Sequence, residues 1–252
     1  MKKLSHYKTK HIRKKGIPFE VRIGTCDENV IDEVVTNDCY KLESINLREA
    51  PNIIDVGGHI GAFSKYCAWR WPYSQIHTFE ANSSNWELIE KNISDIKYKV
   101  NLYKGAAVGK VPKNNKLVIN KAQANEITGG WGIIFDDKAE VVETDTCATL
   151  KIDTFFNLSE IIKDMDKVDI LKLDCEGSEF SILKHLSKEE IFKIDYIVCE
   201  VHCGALPHHD WTYGEFRKLI LDNFICPELE NRPTYHNHDI FNIVACNKKL
   251  LP

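Results

Sequence analysis

The feature that most restricts the fold of this chain is a regular alternation of short apolar runs with segments of helical spacing. Apolar runs of strand length that alternate with helices are typical of parallel strands covered by helices on both faces. We therefore predict a doubly wound, mostly parallel α/β fold, in which ligands bind at the carboxyl ends of the strands. The runs that predict strands are Asn52–Val56, Gln75–Glu80, Tyr98–Gly109, Val168–Asp174, Ile194–Val201 and Asp239–Cys246.

Residues 1–50 precede this pattern, and we predict that they form an N-terminal extension or lid on a domain of residues 51–252. Two segments of the extension, Pro18–Gly24 and Asn29–Val35, are predicted to be strands. Residues 1–15 contain several lysines, one arginine and no acidic residue, which is typical of a frayed, solvated tail.

Charge and hydropathy exclude some classes of protein. With a net charge of −4, the surface as a whole lacks the excess of positive charge that binds nucleic acid. No apolar run approaches the ~20 residues that span a bilayer, and the basic, polar N-terminus lacks the apolar core of a secretory signal. We therefore expect a cytoplasmic protein without a membrane span, and the sequence leaves homo-oligomerisation open.

The turn after the first predicted strand reads DVGGHIG, from Asp55 to Gly61. A dinucleotide fingerprint GxGxxG that began at Gly57 would require glycine at His59, so that pattern fails. The spacing Asp-x-Gly-x-x-x-Gly instead resembles the cofactor loop of class I methyltransferases. The resemblance implies that the cofactor is S-adenosylmethionine.

The chemistry of this cofactor fits the acidic residues at the predicted strand ends. Asp55 suits the cationic sulfonium, and Glu80 ends the second strand, where a carboxylate can accept hydrogen bonds from both ribose hydroxyls. Ala106 follows the third strand and is placed beside the adenine. The residues predicted to bind the cofactor are Asp55, Gly57, Gly58, His59, Gly61, Glu80, Ala81, Asn82, Ala106 and Asp174.

A second motif, LKLDCEGSE, places three carboxylates where the fourth strand ends and a helix begins. Acidic residues at a helix N-terminus complement the helix dipole, which could explain Glu176 or Glu179 alone. This explanation fits Asp174 less well. Since the fourth strand is predicted to lie beside the first, Asp174 should face the same crevice as Gly57.

An ordered series of segments resembles the FkbM family of methyltransferases. The resemblance covers about residues 20–205 and rests on NIIDVGGHIGAFS, HTFEANSSNWELIEKN, LKIDTFF, VDILKLDCEGSEFSIL and IVCEVH. It implies a seven-stranded class I methyltransferase sheet with an antiparallel last strand, and a family of mainly O-methyltransferases that act on sugars and natural products. The chain departs from a usual member at Gly58, where alanine is common, and in its histidine-rich C-terminal part.

Methyl transfer requires a group that removes the acceptor proton, and the candidates for this base are Asp174, Glu176 and His202. His202 has a suitable pKa, although a strand-end histidine that only bonds its neighbours is an equally good interpretation. A divalent metal held by Asp174, Glu200 and His202 would instead lower the pKa of the acceptor hydroxyl. The chain gives these ligands no rigid spacing, so no metal is assigned.

Further residues around the acceptor are predicted from the late part of the chain. If the last strand is antiparallel, the connection before it meets the loop after the fifth strand over the acceptor. Polar groups and stacking faces there would bind a sugar-like molecule. The residues concerned are His208, His209, His236, His238, Trp131 and Trp211.

The prediction is thus an S-adenosylmethionine-dependent O-methyltransferase whose partner is a small-molecule hydroxyl acceptor. Two alternatives remain. An RNA 2′-O-methyltransferase could use Lys172, Asp174 and the basic tail, although the net negative charge of the chain argues against binding to nucleic acid. A protein that binds S-adenosylmethionine without catalysis is the second alternative.

Overall fold

The computed structural model describes residues 7–97, 99–111, 116–120, 131–133, 147–152, 154–202, 212–232 and 240–250. For residues 116–120, 131–133 and 147–151 it describes the backbone alone. In this part of the chain, no helix combines the length and the apolar character that crossing a bilayer requires.

The N-terminal segment folds as a hairpin followed by a helix. Strands β1 (Thr9–Lys14) and β2 (Ile17–Arg22) pair in antiparallel fashion, and α1 (Asp27–Ile31) continues into a π-helical turn at Asp32–Thr36. A short 3-10 helix follows at Leu42–Ser44.

Two predictions for this segment are wrong. Asn29–Val35 is helical rather than a strand, because Ile31, Val34 and Val35 have the three- and four-residue spacing that puts side chains on one buried face of a helix. Residues 9–14 form β1 instead of a frayed tail, while residues 1–6 lie outside the described residues. Basic side chains of this strand and of the turn after it pair with acidic residues of the following segment, in the ion pairs Lys10–Glu28, Lys14–Asp32 and Lys15–Glu43.

The rest of the described chain alternates strands and helices. Its first part contains β3 (Asn52–Val56), α2 (Ala62–Arg70), β4 (Gln75–Glu80), α3 (Ser83–Asn92), β5 (Val100–Lys104), β6 (Ala106–Val108), β7 (Lys116–Asn120), β8 (Trp131–Ile133), β9 (Cys147–Lys151) and β10 (Phe155–Asn157). Its second part contains α4 (Leu158–Lys163), β11 (Val168–Leu173), α5 (Glu179–Lys184), α6 (Lys188–Lys193), β12 (Ile194–His202), α7 (Tyr213–Asn223), β13 (Phe224–Ile225), α8 (Pro227–Glu230) and β14 (Ile240–Asn247).

Within the described ranges, the central sheet has seven strands in the order β13-β14-β12-β11-β3-β4-β5. The strands from β12 to β5 are parallel, and β14 is antiparallel to both of its neighbours. The prediction of a doubly wound, mostly parallel seven-stranded sheet is confirmed. The order reverses between β3 and β11, so the carboxyl ends of these two strands form the crevice where such folds bind ligands.

Alternate side chains of the central strands enter cores on opposite faces of the sheet. Ile54 and Leu171 belong to one buried cluster, and Ile53 and Ile170 to the other. The second cluster also contains Ile17, Phe19 and Val21 of the hairpin strand β2. The N-terminal segment therefore covers one face of the sheet together with α2 and α3.

Candidate active site

Most of the predicted site residues that the structure describes lie at the carboxyl ends of β3, β4, β11 and β12, and Ala106 lies in β6. The backbone N–H of His59 donates to Oε2 of Glu80 at 2.8 Å, and Lys172 Nζ donates to the carbonyl of Gly57 at 2.6 Å. Strand β11 pairs with β3, which brings Asp174 beside Gly57 as the topology predicted.

Close contacts with neighbouring strands explain the glycines of the loop after β3. Gly57 has a φ of +84°, and a Cβ atom there would lie 1.8 Å from the carbonyl oxygen of Asp174. A Cβ atom at Gly58 would lie 2.4 Å from Cγ2 of Thr78. The chain therefore has a local reason for glycine at position 58, where the family commonly has alanine.

The loop continues through two residues with left-handed backbone conformation. His59 has a φ of 47°, which is uncommon outside glycine, and Gly61 has a φ of 84° where α2 begins. The N–H of Gly61 donates to the carbonyl of Gly58 at 2.7 Å, which closes the turn.

Glu80 is buried at the end of β4 and is held by three donors. Its Oε2 accepts from the backbone of His59, and its Oε1 accepts from the backbone of Asn82 at 2.7 Å and from Nδ2 of Asn85 at 3.3 Å. Burial raises the pKa of Glu80 to about 7, against the opposing effect of these hydrogen bonds. Because a carboxylate has about four acceptor positions, about one remains for a ligand.

The surroundings of Glu80 fit a nucleoside. Ala81 packs with Ala106 and Phe155 in a small apolar cluster that suits an adenine ring. Asn82 caps α3 by accepting from the backbone N–H of Ser84, while its own Nδ2 is buried without a hydrogen-bond partner. A buried amide that lacks a partner is the kind of group that a bound ligand would satisfy.

Asp55 lies beneath the loop and is fully buried. One carboxylate oxygen accepts from the hydroxyl of Ser64 at 2.6 Å, and the other lies 3.2 Å from the Lys172 ammonium. Burial alone would lower the pKa of Lys172, but Asp55 and Asp174 outweigh it and raise that pKa. Lys172 is therefore a buried cation that joins the glycine loop to the end of β11.

Asp174 follows β11 and is partly exposed. Its Oδ2 accepts from the Tyr40 hydroxyl at 2.9 Å and lies 3.5 Å from Lys172 Nζ. Burial opposes its ionisation, but Lys172, His202 and Tyr40 outweigh that effect, so the pKa of Asp174 lies below its usual range. Asp174 is a carboxylate at neutral pH.

Glu176 occupies the turn between β11 and α5, with a φ of 55°, followed by Gly177 with a φ of 98°. Its side chain is 26% exposed, and one oxygen lies 3.4 Å from Nε2 of His202. Burial, outweighing the opposing effect of His202, raises the pKa of Glu176 to about 7. This carboxyl group therefore exchanges its proton near neutral pH.

Glu179 supports the same turn from below. Its Oε1 accepts from the backbone N–H groups of Cys175 at 3.0 Å and Gly177 at 3.2 Å, and lies 3.1 Å from Nδ1 of His202. The carboxylate thus fixes both the turn and the orientation of the imidazole ring.

His202 ends β12 and is almost fully buried among carboxylates. Nδ1 lies beside Glu179, while Nε2 lies 3.2 Å from Glu200 and 3.4 Å from Glu176. Burial favours the neutral ring, but these acidic neighbours outweigh it and raise the pKa of His202 well above its usual value.

The predicted metal donors are close together. Asp174, Glu200 and His202 each place one donor atom so that all three atoms lie within 4.8 Å of one another. Imidazole with carboxylates is a donor set that suits transition metals such as Mn²⁺ or Fe²⁺.

Other residues predicted around the acceptor lie outside the described residues: His208, His209, His236, His238 and Trp211. Trp131 lies in β8, for which the structure describes the backbone alone.

The structure adds residues that the sequence did not single out. Tyr40 reaches Asp174 from the N-terminal segment, and Arg22 and Asp27 form a buried ion pair near His59. Of these three residues, only Arg22 had a sequence signal, because it is an arginine inside an apolar predicted strand. Its partner Asp27 lies between the two predicted strands and gave no sequence signal.

The strand order, the antiparallel β14 and the glycine loop after β3 together define a class I, Rossmann-like methyltransferase. The chain belongs to the FkbM methyltransferase family, because the profile described as "Methyltransferase FkbM domain" matches residues 55–225. The chain therefore contains an S-adenosylmethionine-dependent methyltransferase domain, and the predicted family, fold and cofactor are confirmed.

Individual proteins share only low sequence identity with this chain. The AMB antimetabolite synthetase AmbE of Pseudomonas aeruginosa is 24% identical over 200 residues, which are 69% of this chain and 9% of that protein. The chain thus spans less than a tenth of the length of this curated relative.

The solved structures are only weakly similar to this chain. The methyltransferase FkbM of Methylobacillus flagellatus KT is 11% identical with a TM-score of 0.47, covering 82% of this chain and 46% of that one. M. capricolum TrmK in complex with S-adenosylhomocysteine is 10% identical with a TM-score of 0.41, covering 84% of this chain and 67% of that one.

Proposed function

We propose that the protein transfers a methyl group from S-adenosylmethionine to a hydroxyl group of a small molecule. The observation that carries this proposal is the position of the Glu176 carboxyl group, which is partly exposed in the turn after β11 and lies 3.4 Å from Nε2 of His202. Burial raises the pKa of this group to about 7. A base whose pKa lies near the working pH is the most effective acceptor for a hydroxyl proton. The family of mainly O-methyltransferases supports the same reaction.

The proposed cofactor site follows the loop after β3 and the end of β4. Glu80 accepts from the ribose, and the apolar cluster of Ala81 and Ala106 receives the adenine. The cofactor supplies an activated methyl group on a sulfonium. Its proposed binding residues are Asp55, Gly57, Gly58, His59, Gly61, Glu80, Ala81, Asn82, Ala106 and Asp174, with Asp55 acting from beneath the loop through Lys172.

In the proposed reaction, the bound cofactor would supply the methyl group to the acceptor oxygen and would keep the electrons of the broken C–S bond on its sulfur. The hydroxyl proton passes to the Glu176 carboxylate. His202, protonated and held by Glu179, keeps Glu176 in place and limits the repulsion between Glu176 and Glu200. Asp174, fixed by Tyr40 and Lys172, orients the acceptor hydroxyl.

A second candidate mechanism uses a divalent cation, because three suitable donor atoms lie within 4.8 Å of one another. Asp174, Glu200 and His202 would hold the ion, which would lower the pKa of a coordinated hydroxyl. Activity that is lost with EDTA and restored by Mn²⁺ would favour this mechanism. Full activity in EDTA would exclude it.

The N-terminal segment is part of the proposed site. We keep the division into an extension of residues 1–50 and a domain of residues 51–252 as a proposal, supported by the start of the family match at residue 55. The extension contributes the Tyr40 hydroxyl to Asp174, so it would close one side of the acceptor site.

An RNA acceptor fits the site less well. Asp174, Glu176, Glu179 and Glu200 cluster at the strand ends, and Lys172 and His202 are the cations that face them among the described residues. The partly exposed members of this cluster, Asp174, Glu176 and Glu200, repel the phosphate backbone that supplies most of the affinity for nucleic acid.

Calorimetry with S-adenosylhomocysteine tests the cofactor site, and tritium transfer from labelled S-adenosylmethionine tests the acceptor class. We expect label in a panel of hydroxylated sugars and polyketides and none in transcribed RNA at 50 or 200 mM salt. Transfer to RNA alone would overturn the proposed acceptor. Absence of nucleoside binding would overturn the function as a whole.

The variant Glu176→Gln tests whether the protein catalyses methyl transfer or only binds the cofactor. The amide keeps the size of the side chain but cannot accept the proton, so we expect unchanged Kd for S-adenosylhomocysteine and a large loss of kcat. Equal turnover by the variant would exclude Glu176 as the base, and no turnover by either protein would favour a non-catalytic binding role.

A further inference from the structure

The buried ion pair of Arg22 and Asp27 joins the N-terminal hairpin to the proposed cofactor site. Arg22 Nε donates to Oδ2 of Asp27 at 2.8 Å, and Nη2 donates to Oδ1 at 2.8 Å. Both side chains are almost completely removed from water. Burying two charges is costly unless they are well paired, so this two-point contact is a rigid feature of the fold.

One branch from the pair reaches Glu80 through Asn85. Arg22 Nη2 also donates to Oδ1 of Asn85 at 2.9 Å, and Nδ2 of Asn85 donates to Oε1 of Glu80 at 3.3 Å. A guanidinium group has donors and no acceptor, so it forces the amide oxygen of Asn85 toward itself. The amide nitrogen must then face Glu80.

A second branch reaches Glu80 through the glycine loop. Oδ1 of Asp27 lies 3.5 Å from Nε2 of His59, and the backbone N–H of His59 donates to Oε2 of Glu80 at 2.8 Å. Burial, outweighing the opposing effect of Asp27, lowers the pKa of His59 to about 4, so the ring is neutral. Since a carboxylate accepts hydrogen bonds only, it favours the tautomer with a proton on Nε2.

The two branches close a ring of contacts that ends on both oxygens of the same carboxylate. We propose that Arg22 and Asp27 are positioning residues for the cofactor, which fix the Glu80 carboxylate in the orientation that accepts from a ribose hydroxyl. This inference rests on the proposed function, because it requires that Glu80 binds the ribose. It assigns the N-terminal hairpin a part in cofactor recognition.

The test compares two nucleosides, S-adenosylhomocysteine and its 2′,3′-dideoxy analogue, by calorimetry. A hydrogen bond to a charged group predicts that the wild type binds the analogue about ten- to a hundredfold more weakly. In Asp27→Asn we expect this ratio to fall toward one, because a misplaced carboxylate no longer distinguishes the two ligands. A purely structural role for Asp27 would weaken both ligands equally and leave the ratio unchanged.

A neighbouring residue supplies the matched control. Glu28 follows Asp27 in α1 and pairs with Lys10 of the hairpin, but the side chains of Glu28 and Lys10 are both exposed. We expect Glu28→Gln to keep the wild-type ratio and the wild-type Kd. A ratio that falls equally in both variants would overturn the proposal.

A second variant keeps the inference testable if Asp27→Asn does not fold. Asn85→Ala removes the link between Arg22 and Glu80 and leaves the ion pair intact. We expect it to lower the ratio as well, and an unchanged ratio in folded Asn85→Ala would overturn the proposal. Wild-type protein that binds neither nucleoside contradicts the proposed function itself, whereas wild-type discrimination that persists in the variants contradicts only this inference.

Discussion

Replacing Lys172 by methionine removes the buried cation that joins the glycine loop to the end of β11. Methionine has a similar length and no charge, so the variant removes the ammonium with little change in volume. In the wild type, Nζ lies 3.2 Å from Asp55, which is fully buried, and donates to the carbonyl of Gly57 at 2.6 Å. The variant leaves Asp55 as a buried charge without its cation.

Removing one partner of a buried ion pair costs about 3–5 kcal/mol of unfolding free energy. For a chain of this size, 1 kcal/mol corresponds to roughly 2–4 °C, so we expect the Tm of Lys172→Met to fall by about 6–20 °C. The double variant with Asp55→Asn should recover part of the loss, because no unpaired charge is then buried. Urea denaturation and calorimetry measure these values.

The control is Lys10→Met, which removes a cation from the exposed pair with Glu28. An exposed pair contributes about 0–1 kcal/mol, so this variant should remain close to the wild type. The reasoning is refuted if Lys172→Met loses no more stability than Lys10→Met. It is also refuted if the losses of Lys172→Met and Asp55→Asn are simply additive.

Further predictions concern the loop and the two carboxyl clusters. The pKa of Glu80 is raised from 4.5 to about 7, so its stabilising contribution is complete below pH 4.5 and is lost as the pH rises through 7. The wild type should therefore lose about 3 kcal/mol relative to Glu80→Gln between pH 4.5 and 8 in urea titrations, and a constant difference would contradict this. Gly57→Ala and Gly16→Ala both place alanine at positive φ, but only position 57 lacks space for the methyl group. Denaturation should show a loss of about 1–2 kcal/mol for Gly16→Ala and clearly more for Gly57→Ala, and equal losses would refute the contact argument. Glu179→Gln should lower the pKa of His202 in an NMR titration because it removes the carboxylate beside Nδ1, and an unchanged pKa would show that the other acids dominate.

Much of the fold was predictable because it depends on local patterns. Helix α2, for example, begins at Ala62 directly after the glycine loop, and Pro72 follows its end, so both of its ends have local sequence signals. The prediction failed at Asn29–Val35, where β-branched residues suggested a strand. Their buried face has helical spacing, and packing against the sheet outweighed the propensity.

The candidate site was predictable where it follows the ends of strands. Asp174, Glu176 and His202 were identified because the topology brings strand ends to one edge, and the structure places these three side chains in one cluster. Their protonation states were not predictable. The pKa values depend on which acids face His202 in space, and these acids come from β12, α5 and the turn between β11 and α5.

The sequence by itself determined the alternation of strands and helices that begins at β3, the glycine loop and the family, because each of these depends on residues close together along the chain. Only the tertiary structure decided that Tyr40, Arg22 and Asp27 of the N-terminal segment reach Asp174, Asn85 and His59. These contacts join residues far apart in sequence. Their energy comes from pairing charges and polar groups inside a buried core, and burial is a property of the folded chain rather than of any segment of it.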